Sequence, residues 1–265
     1  MNQLWTIVVR EWLGRMSGEA NSKSSVSETE SLVILSPFTG EQQTRRAQSL
    51  EQSAKEVTTY LGEAVAIDRL GKPAVLIFPD PVTYSNYIAP FYPEGSVVPM
   101  SGGLCLTHSG YVHLAMYYDP DTDLNPVFVH ELTHAYLSHL TLPAWMDEAV
   151  AMRMENLVAG YPPRPFDRDI YDRLQAHWNE ETLQQFITGE SWEIPGDSFE
   201  LSYQLAEIIW KKIETNLDAT QEEVQELIVS SSWNDGGEHA LQDIFGIGLN
   251  DLFKSFLGEI APAPK

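Results

Sequence analysis

One cysteine, Cys105, occurs in 265 residues. That excludes an intrachain disulfide and leaves no thiolate cluster for a structural metal. Basic residues are also scarce: 16 Lys and Arg stand against 38 Asp and Glu, a formal charge of −22 at pH 7. A surface of that sign repels nucleic acid and anionic lipid and favours cations and basic partners, so no nucleic-acid partner is expected. No run approaches the roughly 18 apolar residues of a membrane span. The opening MNQLWTIVVREWLGRM has an apolar stretch, Leu4 to Val9, closed too soon by Arg10, Glu11 and Arg15 to resemble a secretory leader. It is expected to form an amphipathic helix that docks on the body. The expected location is the cytoplasm, with secretion left open. Internal repeats are absent, and the only biased tract is the final APAPK.

What is present fits a folded protein with a substantial core, since 43% of residues are hydrophobic and 11% aromatic. Residues 17 to 31, SGEANSKSSVSETES, are small and polar and read as a linker, so the ordered fold is expected from Leu32. LVILS then reads as a buried strand, residues 40–62 as a helix, and AVLIF (74–78) as a second strand ended by Pro79, Asp80 and Pro81. A short helix over 83–91 leads to the loop YPEGSVVPMSGG, and LCLTHSGYVHLAMYY holds one or two further strands. After Asp119-Pro120-Asp121, helical spacing covers 126–140, 144–157, 199–215, 219–231 and 237–257. From Glu180 onward 17 acidic residues accompany four lysines, which is read as solvated helix faces.

Residues 127 to 151, VFVHELTHAYLSHLTLPAWMDEAVA, carry the densest chemistry. On a helix advancing about 100° per residue, His130 and His134 project from one face, one turn apart, as two zinc ligands must. Glu131 follows the first histidine and stands beside a metal held there, where a carboxylate can deprotonate water. Catalytic zinc usually has three protein ligands, so a third must come from elsewhere. His139 lies nine residues after His130 and points to the opposite side of such a helix. Leu142-Pro143 is expected to end this helix and start a second near Ala144 that folds back on it. Asp147 and Glu148 are both in reach of the ion on that spacing.

The same stretch resembles the gluzincin metallopeptidases of the peptidase MA-like clan. There a His-Glu-x-x-His helix is followed by a second helix beginning Pro-x-Trp-x-x-Glu, here Pro143 to Glu148. The resemblance implies that Zn2+ is held by His130, His134 and Glu148, that Glu131 is the general base, and that Asp147 does not bind metal. Trp145 is then a packing residue that fixes the second helix. More weakly, SYQLAEIIWKKI (202–213) is similar to the helix that carries a zinc-facing tyrosine, which makes Tyr203 the candidate for stabilising an oxyanion. Residues 235–259 are similar to the closing pair of short helices. GYVHLAMYY is similar to part of a sheet whose edge strand pairs with extended peptide.

Departures are visible too. The Gly-x-Met-Glu-Asn segment with which aminopeptidase members hold a substrate amine precedes their zinc helix, whereas Met154-Glu155-Asn156 follows it here. Amino-terminal trimming is therefore unsupported. Met152 stands where some relatives place an outer-shell aspartate, and Glu155 one turn later is only a weak substitute. His177 and His239 are read as structural or exposed.

The expected fold class is α+β: a small mixed sheet with helices in the N-terminal half, a mostly helical C-terminal half, and a zinc site in the cleft between them, as in zincins. Expected segments are 1–31 (helix and linker), 32–143 (α/β, ending in the zinc helix), 144–260 (helical) and 261–265 (tail). The expected activity is zinc-dependent hydrolysis of peptide or protein substrates, with zinc-bound water activated by Glu131. The alternative is a weak or inactive peptidase-like scaffold in which zinc is structural and the protein binds or regulates a partner.

Overall fold

In the computed structural model, residues 3–19, 24–65, 71–92, 101–108 and 111–257 are described. The loop positions 93–100 and the tail 261–265 lie outside them. The chain opens with a helix, α1 (Gln3–Glu19), and two strands, β1 (Ser25–Glu28) and β2 (Val33–Ser36). A long helix α2 (Gly40–Leu61), β3 (Ala74–Phe78) and α3 (Pro81–Ile88) follow, then β4 (Gly103–His108), β5 (Tyr111–Tyr117) and α4 (Asn125–Leu137).

The five strands form one mixed sheet in the order β1-β2-β3-β5-β4. The central pairs β2–β3 and β3–β5 are parallel, and the outer pairs are antiparallel. Every residue of β3 is buried, because a strand covered on both faces reads as a continuous apolar run rather than an alternation. One face joins Val33, Leu35, Ala74, Leu76, Phe78 and Ala115 to Val9 and Leu13 of α1 and to Tyr84 and Ile88 of α3. The other face presents Ile34, Val75, Ile77, Leu114 and Met116, also buried. α4 packs beside β4 and β5.

The stretch read as a linker holds the end of α1 and the whole of β1, so the ordered fold begins well before Leu32. β1 looks polar in sequence because it is an edge strand: among the described residues it pairs with β2 alone, and only Val26 of its four residues packs on the core. Charge fastens it to α1. Glu28 accepts hydrogen bonds from Arg10 of α1 and from Lys72, whose Nζ lies 2.7 Å from Oε1. As expected, α1 docks on the body.

The remaining helices are α5 (Ala144–Val158), α6 (Arg168–His177), α7 (Glu180–Thr188), α8 (Asp197–Asn216), α9 (Gln221–Ser230), α10 (Glu238–Phe245) and α11 (Leu249–Leu257). Helices α6 and α7 fall outside the expected helical stretches. They are short and owe their starts to caps: Asp167 accepts from the Ile170 amide, while Asn179 and Thr182 form a reciprocal capping box. Between them the Trp178 ring is buried against Phe186, 5.5 Å between centroids. The stretch 237–257 divides into α10 and α11 at Gly246, whose φ of +69° ends the first helix.

The chain is thus α+β and divides into two compact units, one holding the sheet with α1 to α4, the other holding α6 to α11 and most of α5. Among the described residues, no helix is long and apolar enough to cross a membrane.

The Lys72 hydrogen bond, opposed by partial burial, holds the Glu28 carboxyl below the usual glutamate range. A depressed carboxylate adds stability that is present above its unfolded pKa and is lost as pH falls through the folded one. Glu28→Gln should therefore destabilise the protein by about 1 kcal/mol or less at pH 7. Urea unfolding of parent and variant should converge as the pH drops through and below the ordinary carboxylate range.

Candidate metal centre

Helix α4 carries Pro126 in its first turn, where its fixed φ fits and its missing N–H costs nothing. Asn125 accepts a 2.8 Å hydrogen bond from Ser53 of α2. Phe128, Val129, Leu132, Thr133 and Tyr136 are buried, and the Thr133 hydroxyl bonds back to the Val129 carbonyl. With those positions turned into the core, His130 and His134 share a half-buried face. Their Nε2 atoms are 3.0 Å apart, and the rings meet at 76°.

At that spacing the imidazoles either share one proton or both turn lone pairs towards a cation. Two nitrogens bound tetrahedrally at about 2.0–2.1 Å from one ion would be about 3.3 Å apart, close to the observed pair. The third member is Glu148 on α5: one donor atom from each of His130, His134 and Glu148 lies within 4.8 Å of the others. Two neutral imidazoles and one carboxylate suit zinc and similar first-row ions better than calcium or magnesium, which prefer oxygen alone. These residues therefore fit a metal ion. Asp147 is outside the group, as is His139.

The helix ends earlier than expected, at Leu137, and residues 138–143 form the connection to α5. His139 is thus exposed in a turn after the helix rather than on its far side. α5 starts at Ala144, with the Met146 and Asp147 amides bonding to the Pro143 carbonyl. Trp145 is fully buried, and its Nε1 donates to the Gly236 carbonyl at 2.9 Å. Gly236 has φ +65°, and a Cβ there would lie 2.5 Å from Ile187. That contact fixes the first turn of α5, three residues before Glu148.

Glu131 is buried on α4, 8% exposed. The backbone of β4 comes close beside it at Gly103, where a Cβ would lie 2.6 Å from Val127 and 3.1 Å from the Glu131 Cγ. Glycine alone allows that approach. The carbonyl of Gly103 accepts from the Ser101 hydroxyl at 2.6 Å, and Ser101 contacts the Tyr84 hydroxyl. Burial, and to a smaller extent the Glu131 charge, push Tyr84 up to about 12, although its Ser101 bond acts the other way. Tyr92 is raised by burial and by the same charge. Both phenols are therefore neutral at physiological pH. None of this surrounding was expected; a Gly-Gly pair entering a strand is the signal that could have revealed the close approach.

Tyr203 is half-buried on α8, with its ring 5.3 Å from Phe199, 6.3 Å from Trp192 and beneath the Arg164 guanidinium at 5.0 Å. His177 packs edge-on against Trp178, and burial pushes its pKa down. His239 is exposed beside Asp235. Met152 is buried. No protein-family model and no curated protein matches the chain, which leaves the chemistry of these residues as the ground for its function.

If Glu148 is the third ligand, Glu148→Ala should weaken zinc binding by more than the roughly 10–100-fold typical of losing an outer partner, while Asp147→Ala stays near the parent. Competition with a chromophoric chelator measures both, and equal losses would place the third ligand elsewhere.

Proposed function

We propose that the chain is a zinc-dependent metallopeptidase of gluzincin type, with His130, His134 and Glu148 as ligands and Glu131 as general base. The observation that carries this reading is Glu131 itself. A buried carboxylate next to the first histidine, against an edge strand, is costly to keep without a purpose, because burial disfavours its charged form. A structural site needs only the ligands.

A divalent ion held by the three ligands would supply Lewis acidity, polarising a scissile carbonyl and acidifying water. Glu131 then accepts the proton of the attacking water on a carboxylate oxygen and passes it to the departing amine. A neutral donor is needed where negative charge develops on the substrate oxygen. Tyr203 is the candidate from the family pattern, and Tyr92 is a second phenol, kept protonated beside Glu131. Among the described residues β4 is the end strand of the sheet, paired only with β5. Its outward N–H and C=O groups can take an extended peptide as an added strand, binding backbone with little regard to side chains. Gly103 sets the start of that edge against Glu131. The zincin fold and a cleft that admits peptide are part of this proposal.

Glu131→Gln keeps the size and position of the side chain and removes the base. The variant should bind one zinc per chain and lose hydrolysis by about two to four orders of magnitude on a diverse peptide library. Cleavage by the variant at the parent's rate would contradict the mechanism. Zinc binding without cleavage by either protein would favour the scaffold with a structural ion.

A further inference from the structure

On the sheet face that carries α1 and α3, opposite the face packed by α4, rings crowd around a pocket of about 450 Å³. Six of its eight lining side chains are rings: Trp5 and Trp12 from α1, Tyr87 from α3, Phe91 just beyond it, and Tyr111 and His113 from β5. Trp5 lies nearly parallel to Tyr111, 6.0 Å between centroids, while Trp12 meets His113 edge to face at 5.4 Å. Phe91 lies 5.6 Å from Tyr87 and 5.7 Å from His113. Phe91 is 41% exposed, which leaves the pocket reachable from solvent.

Both tyrosine hydroxyls are engaged with the protein. The Tyr87 hydroxyl is hydrogen-bonded to His113 Nε2 at 2.8 Å, and the Tyr111 hydroxyl donates to the Lys72 carbonyl at 2.9 Å. Among the described residues, no carboxylate, lysine or arginine lines the wall. A ligand is therefore met by ring surfaces, not by hydrogen-bonding groups, which disfavours a primary ammonium that must satisfy three N–H donors. Aromatic faces attract cations, and a quaternary ammonium has no N–H to satisfy. Of the described cations on neighbouring segments, Arg10 and Lys72 pair with Glu28, while Arg15 is exposed on α1 three residues after Trp12. Glu11 is exposed on α1 one turn from the pocket-lining Val8, in a chain carrying −22 overall.

We propose that this pocket is an aromatic cage that binds a quaternary ammonium group, independently of the metal centre. Choline is the probe, and 3,3-dimethylbutan-1-ol is its neutral isostere, the same shape without the charge. Calorimetric titration of the full chain at low salt should show choline binding about tenfold or more tightly than the alcohol. Phe91→Leu keeps an apolar wall but removes one ring, and circular dichroism checks that it folds. This variant should lose about threefold or more of the choline affinity while its affinity for the alcohol is unchanged. Equal affinity for the two probes, no choline binding, or an unaltered choline preference in Phe91→Leu would each overturn the proposal.

Discussion

The close approach of β4 to α4 at Gly103 is the constraint on which the site depends. With no side chain at that position, the edge strand comes against Val127 and Glu131, and the glutamate is buried while its two histidine neighbours stay half-exposed. Backbone spacing thereby gives three adjacent polar groups different surroundings. The imidazoles can meet an ion and solvent, whereas the carboxylate keeps company with the neutral phenols Tyr84 and Tyr92. A larger residue at 103 would push the strand off the helix and open the place where Glu131 is held.

A metal held there would also be a matter of stability. Removing charge from water is expensive unless it is compensated, and a cation bound by two imidazoles and a carboxylate compensates at short range. Binding to the native arrangement alone would then add to the folding free energy. Each donor is anchored by its own local structure. The histidines ride on a helix with a buried apolar face, and Glu148 follows the buried Trp145 and its bond to Gly236.

Much of this was legible in the sequence, for particular reasons. β3 coincides with AVLIF because a strand covered on both faces is uniformly apolar, and α2 is a long amphipathic run between Gly40 and Gly62. The His-Glu-x-x-His spacing placed both imidazoles on one face without tertiary information. Two features were not legible. β1 is an edge strand with a single packed side chain, so its composition looked like a linker. α6 and α7 are short, and depend on side-chain caps and on the Trp178–Phe186 contact rather than on a long period. Helical spacing alone left Asp147 and Glu148 both in reach of the ion; the family resemblance chose Glu148, and the three-dimensional grouping of donor atoms includes the same residue.

The central claim is that one ion is shared by two imidazoles of α4 and the carboxylate of Glu148. X-ray absorption at the zinc edge, on protein loaded with one equivalent of zinc, tests it most directly. The account predicts two imidazole nitrogens at about 2.0–2.1 Å and carboxylate or water oxygens at about 2.0–2.2 Å, with no sulfur. A sulfur shell from Cys105, a single imidazole, or oxygen alone would contradict it.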